Sequence, residues 1–159
     1  MEFKKRKDMR LQNFDYSSQG AYFITLCTKD KKKLLGRIVG EGLCALPSIK
    51  LTQIGKKVDE GINYINNNYT GVAVDKYVIM PNHIHLIIRL ETGGDRTPPL
   101  RVCDIIGRFK SYTSYNYGEK LWQRSYYDHI IRGEMDYMEI WEYIDKNPHK
   151  RNKDELYLE

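Results

Sequence analysis

The sequence predicts an α+β fold, an antiparallel sheet with helices packed on it in a ferredoxin-like arrangement. Three observations lead there. The hydrophobic spacing alternates between two and three-to-four residues, giving the order β-β-α-β-β-α-β-α. Turn-forming residues punctuate the segments. The chain has 159 residues, 41% hydrophobic and 30% charged, which suits one globular domain able to bury its own core.

Tyr22 to Thr28 is rich in β-formers and reads as a first strand, with Lys29 to Lys33 as its turn and Leu34 to Val39 as a second. A loop with Gly40, Gly42 and Pro47 follows. From Thr52 to Asn67 the spacing becomes helical, with Ile54, Val58, Ile62, Ile65 and Tyr69 on one stripe and Thr52 as N-cap. Val72 to Met80 is a strand, Pro81-Asn82 a turn, and His83 to Leu90 the partner strand. Glu91 to Pro99, with two glycines and two prolines, is a loop. A second helix carries Val102, Ile105, Ile106, Phe109, Tyr112 and Thr113. Leu121 to Arg132 is a β-rich run that Gly133 breaks. Met135 to Asn147 forms a third helix, closed by Pro148.

Residues 1–20 read as a basic arm, 21–150 as a single domain and 151–159 as a tail. The net charge of +5 favours a polyanionic partner. Lys4, Lys5, Arg6, Lys7 and Arg10 form one basic cluster, and Lys29, Lys31, Lys32 and Lys33 another. Thirteen tyrosines provide faces on which exposed bases can stack. No apolar run reaches the roughly 20 residues of a membrane-spanning helix, and no secretory leader is evident at the charged N-terminus. Cys27, Cys44 and Cys103 form neither a disulfide framework nor a CxxC zinc site, so the expected compartment is the reducing cytoplasm.

The chemistry centres on His83-Ile84-His85. On a strand, alternate side chains share a face, so the two imidazoles point one way while Ile84, Leu86 and Ile88 point into a core. They stand about 7 Å apart along the strand, two rises of roughly 3.3 Å, and can converge on one metal ion. Two ligands call for a further protein group or for positions open to substrate.

Around this motif the chain resembles the IS200-like single-tyrosine transposases, the HUH endonuclease type, and within them the REP-associated tyrosine transposase branch. The resemblance runs through most of the chain: Phe14-Asp15-Tyr16 leading into Tyr22-Phe23-Ile24-Thr25-Leu26-Cys27-Thr28, then Tyr77-Val78-Ile79-Met80-Pro81-Asn82-His83-Ile84-His85-Leu86. It continues through Ile105-Ile106-Gly107-Arg108-Phe109-Lys110-Ser111, the run Leu121 to Arg132, and Tyr143-Ile144-Asp145-Lys146-Asn147-Pro148. The resemblance implies a divalent cation, Mg2+ or Mn2+, on His83 and His85, and a nucleophile at Tyr143. That phenol would attack phosphorus in single-stranded, hairpin-forming DNA, join the 5′ phosphate, release a 3′ hydroxyl and later rejoin strands. A polar amide or acid four residues past the tyrosine completes the metal shell in that family, which points to Asn147. Relatives act as dimers with exchanged helices or as monomers, so a homodimer stays open, with Gly133 as hinge or plain strand-to-helix break.

Helix geometry can be set beside that assignment. At 100° per residue, Tyr137, Ile140, Trp141 and Ile144 form the core stripe, and Tyr143 lies roughly 110° from its centre, at the border of burial. Asn147, at i+4, shares its side, or else serves as a C-cap before Pro148. Tyr126 and Tyr127, alternating on a strand, are competing nucleophiles. A free phenol, with pKa about 10, is a poor nucleophile at neutral pH, and a cation would stabilise the charge it develops. The exchange of one phosphodiester for another needs no nucleotide fuel, and no GxxxxGK[ST] phosphate loop is present. The arm residues Lys4, Lys5, Arg6, Lys7 and Arg10, with Arg108 and Lys110, are expected to touch phosphates.

Two other functions use the same residues. A non-catalytic, RRM-like single-strand binder would use the sheet, arms and aromatics, although the RNP pattern is missing and the histidine pair would have no purpose. A zinc hydrolase would gather His83, His85 and His129. His149 is expected to face solvent.

Overall fold

The computed structural model describes residues 13–40, 46–91 and 100–149. The arm residues Lys4, Lys5, Arg6, Lys7 and Arg10, the tail and most of the Glu91–Pro99 loop lie outside these. The elements are β1 (Gly20–Cys27), β2 (Gly36–Val39), β3 (Ser48–Leu51), α1 (Gln53–Asn68), β4 (Val72–Ile79), β5 (His83–Leu90), α2 (Val102–Tyr117), β6 (Tyr127–Ile131) and α3 (Gly133–Lys146). Short 3-10 turns follow β1 and α3.

Four strands form one antiparallel sheet in the order β4-β5-β1-β6. Taken with α1 and α2, they make the βαββαβ ferredoxin-like pattern the sequence predicts. To it are added a β2–β3 hairpin between β1 and α1 and the helix α3 after β6.

The alternation of β1 and β5 divides the interior in two. Tyr22, Ile24 and Leu26 of β1, with Ile84, Leu86, Ile88 and Leu90 of β5, face α1 and α2 and pack with Val58, Ile62, Ile65, Ile105, Ile106 and Phe109. On the opposite face, Phe23 and Ile87 meet Ile144, flanked by Val78, Tyr137, Ile140 and Trp141. Burial on both sides explains why β5 reads almost without polar interruption apart from its histidines. The predicted core stripe of α3 is the one that packs.

Local chemistry fixes the ends. Thr52 caps α1, its hydroxyl accepting from Gly55 N–H at 3.0 Å, and Gly55 is required because a Cβ there would stand 1.9 Å from the Leu35 carbonyl oxygen. Gly118 ends α2 in the left-handed region, φ 87°. Trp122, buried, donates its indole N–H to Thr113 Oγ1 at 2.7 Å.

Several elements differ from the sequence reading. Ser48–Leu51 is a strand rather than loop, paired with β2 through Val39↔Ser48 to Gly36↔Leu51; only Ile49 and Leu51 carry its apolar alternation. Leu34 and Leu35 precede β2, and the Leu35 N–H goes to the Pro81 carbonyl instead of a strand partner. The run from Leu121 shrinks to Tyr127–Ile131, because Leu121 and Trp122 are taken up by the Thr28 bridge and the α2 packing. Gly133 opens α3 with φ 86° rather than merely preceding it.

Candidate metal and nucleophile site

Cross-strand register assembles one polar cluster on the α3 face of the sheet. Thr25 lies opposite His85 and Cys27 opposite His83 on β1 and β5, while Tyr127 lies opposite Thr25 on the β6 side. Opposed residues in an antiparallel pair share a face. His83 and His85 therefore point together, as alternation requires, with ring centroids 4.7 Å apart. Both are buried, at 0% and 2% exposure.

Each imidazole is oriented by a neighbour. His83 Nδ1 lies 2.7 Å from Asn82 Oδ1. An amide oxygen only accepts, so the proton sits on Nδ1 and the Nε2 lone pair is the one left to ligate. His85 Nδ1 lies 2.8 Å from Thr25 Oγ1, and Phe23 stacks on the same ring at 5.4 Å and 24°. Asn82 reads in the sequence only as half of a Pro-Asn turn and Thr25 only as a β-former. The contact that gives Thr25 its place depends on β1–β5 register.

α3 brings Tyr143 to this pair. Its hydroxyl stands 3.4 Å from His85 Nε2, its ring meets Phe23 edge-on at 6.0 Å, and 43% of the residue is exposed. Asn147 continues the helical backbone, φ −57° and ψ −44°, so it follows Tyr143 by one turn on the same side. It is 3% exposed, and its amide oxygen is buried without a hydrogen bond among the described residues. A buried carbonyl oxygen left in this state costs free energy unless something electropositive meets it. Imidazole nitrogens and an amide oxygen are donor types that a divalent cation accepts.

The core tyrosine of α3 and the two competing nucleophiles occupy other settings. Tyr137 donates its hydroxyl to Asp75 Oδ2 at 2.9 Å, and burial together with that bond pushes its phenol up to about 12. Tyr126 precedes β6 and packs against the core shared with α1 and α2. Tyr127 lies on the histidine face, half-exposed, with its ring 6.4 Å from Phe23.

The three histidines of the zinc-hydrolase reading are not gathered. His129 opposes Phe23, one step along the sheet from the Thr25–His85 pair, and its Nε2 donates to Asp136 at 2.9 Å. Among the described residues no three His, Cys, Asp or Glu side chains could share a metal. The Arg132 backbone N–H and then His129 hold the Asp136 carboxyl below its ordinary value. His149 is exposed.

Of the described basic candidates, Arg108 is exposed on α2, across the sheet from the histidines. Lys110 donates to the carbonyls of Gln123 at 2.6 Å and Arg124 at 3.0 Å, holding the approach to β6. The sequence also gave no signal for the ties between α3 and β4. Lys76 pairs with Asp145 at 2.5 Å and lies 5.0 Å over the Trp141 ring, beside the Tyr137–Asp75 bond. A β-bulge between Val74 and Lys76 sets Asp75 there, where Arg89 also binds it at 2.9 Å.

No protein-family model matches the chain. It is 34% identical, over 175 aligned positions, to an uncharacterized protein of Haemophilus influenzae, an alignment covering 97% of this chain and 94% of that one. Among solved structures it is similar to the REP-associated tyrosine transposase bound to a REP hairpin, with a TM-score of 0.64 and 20% identity, covering 94% of this chain and 76% of that one. No helix among the described residues is long and apolar enough to cross a membrane. The chain belongs to one family with the Haemophilus influenzae protein, and its fold is that of the REP-associated tyrosine transposase.

Proposed function

We propose that this chain is a divalent-metal-dependent nickase and strand transferase of single-stranded, hairpin-forming DNA, acting in the cytoplasm through a 5′-phosphotyrosine intermediate. The observation that carries the reading is the 3.4 Å approach of the Tyr143 hydroxyl to His85 Nε2, whose ring packs against that of His83. His83, His85 and Asn147 would hold Mg2+ or Mn2+, which supplies Lewis-acid polarisation of the scissile phosphate.

The chain's own residues account for the rest. Tyr143 Oη forms a bond to phosphorus as the bond from phosphorus to the 3′ oxygen breaks. The phenolic proton leaves by the exposed side of the residue, and the departing 3′ oxygen takes one up to become a hydroxyl. Rejoining reverses these events with a 3′ hydroxyl as nucleophile, so bond energy is conserved. Phe23 limits the swing of the Tyr143 ring, while Asn82 and Thr25 hold the imidazoles. The arm residues Lys4, Lys5, Arg6, Lys7 and Arg10, with Arg108, would contribute phosphate contacts that weaken steeply with salt, while Lys110 is committed to the carbonyls of Gln123 and Arg124.

The test is a hairpin-bearing single-stranded oligonucleotide incubated with the protein and Mg2+ or Mn2+, resolved on denaturing gels. A metal-dependent protein–DNA adduct is expected, absent in Tyr143→Phe and strongly reduced in His83→Ala and His85→Ala. Persistence of the adduct in Tyr143→Phe, with its loss in Tyr127→Phe or Tyr126→Phe, would move the nucleophile elsewhere.

A further inference from the structure

The face of the molecule turned away from the histidines carries a second feature suited to nucleic acid. Between α1 and α2 runs a cleft of about 350 Å³, lined by Gly61, Tyr64, Tyr69, Arg108, Phe109 and Tyr112 among others. Tyr64 and Tyr112, one from each helix, lie nearly parallel at 17° with centroids 6.5 Å apart, and Tyr69 meets Tyr64 edge-on at 6.3 Å. Despite this packing, Tyr64 and Tyr112 stay 56% and 45% exposed. Gly61 makes the depth: a Cβ there would meet the Phe109 ring at 3.0 Å, so its absence lets Phe109 form the floor.

A cation stands at the cleft. Arg108 is exposed on α2, within the field of Asp104. Flat rings exposed beside a guanidinium match one ligand chemistry: a planar base that stacks and an adjoining phosphate that pairs with the cation. An apolar peptide would find no use for the guanidinium, and a bare phosphate none for the rings.

We propose that the α1–α2 cleft is a second DNA site, binding an unpaired nucleotide with its base on Tyr64 and Tyr112 and its phosphate at Arg108. The choice of DNA over other stacked polymers rests on the function proposed above; the stacking itself does not. A strand engaged at both faces would have to pass around the sheet edge, so this site holds DNA flanking the cleaved segment rather than the scissile phosphate.

The experiment measures binding of a fluorescent oligothymidylate to the Tyr143→Phe chain without divalent ion, so that stacking is read apart from nicking. Replacing both Tyr64 and Tyr112 by Leu is expected to weaken binding about tenfold, the worth of one stacked base, whereas Phe at both positions retains it. Arg108→Gln should lower the slope of log affinity against log salt by about 0.7, one single-strand phosphate contact. An oligonucleotide carrying 5-iodouracil should photo-crosslink to peptides containing Tyr64 or Tyr112. Affinity within twofold of the parent in the double Leu chain, or crosslinks confined to peptides of the Tyr143 face, overturns the second site and leaves the nickase reading standing. Failure of the parent chain to bind the oligonucleotide at all overturns both.

Discussion

Removing the amide of Asn82 provides a severe trial of the metal site, because it leaves every proposed ligand in place. Asn82 and His83 are both buried, at 1% and 0% exposure, and the Oδ1 to Nδ1 bond is 2.7 Å. In Asn82→Ala the backbone carbonyl that accepts from Thr28 N–H at 2.9 Å and Thr28 Oγ1 at 3.0 Å is retained, so the turn keeps its main-chain anchors. What goes is the acceptor that fixes the His83 proton on Nδ1. A buried N–H without a partner costs about 1–3 kcal/mol, and that cost is relieved when the ring transfers its proton to Nε2, the atom needed for coordination. Binding an ion then has to reverse the transfer. The penalty corresponds to about 10- to 100-fold in affinity, the range found when partners of metal-bound histidines are lost. Calorimetric titration with Mn2+ reads it directly, and thermal unfolding of the ion-free chain reports the cost to the fold. An Asn82→Ala chain that binds Mn2+ as tightly as the parent would refute the ligand role of His83 Nε2.

Three further outcomes follow from particular contacts. Tyr137→Phe should keep full adduct formation; in the parent, the stability owed to the neutral Tyr137 phenol is complete below its ordinary value near 10 and lost as pH rises through about 12, so the two chains converge in alkaline unfolding titrations. Asp136→Asn should remove stability at neutral pH but not in acid, because a carboxyl lowered on folding stabilises above its ordinary value and loses that effect as pH falls through the folded one; urea midpoints against pH measure the gap. Gly55→Ala should cost about 3 kcal/mol, at the upper end for overpacking, since the new methyl would stand 1.9 Å from a carbonyl oxygen; an unchanged urea midpoint would contradict it.

The sequence disclosed whatever depended on local periodicity. Helical spacing located α1 with its Thr52 cap, alternation put Ile84, Leu86 and Ile88 opposite the histidines, and the wheel placed Tyr143 at the edge of the packed stripe of α3. Contacts between distant strands were hidden. Thr25 meets His85 sixty positions away only because β1 pairs with β5, and Asp75 meets Tyr137 across a bulge no pattern announces. Strand β3 escaped because four residues with two apolar side chains make too weak an alternation beside Pro47. Lys110 reads as a phosphate contact from its charge, and only the fold shows its ammonium holding two carbonyls.

The unequal division of the interior bears on how the molecule comes apart. α1 and α2 rest on a broad aliphatic bed, while α3 rests on a small patch around Phe23, Ile87 and Ile144 and is otherwise tied to β4 by Lys76–Asp145 and Tyr137–Asp75. Exposed ionic ties weaken as salt rises, and apolar burial does not. The ion pair between α3 and β4 is therefore the salt-sensitive part of the seat of the helix that bears Tyr143, and the ionic strength that weakens it also weakens any phosphate contact.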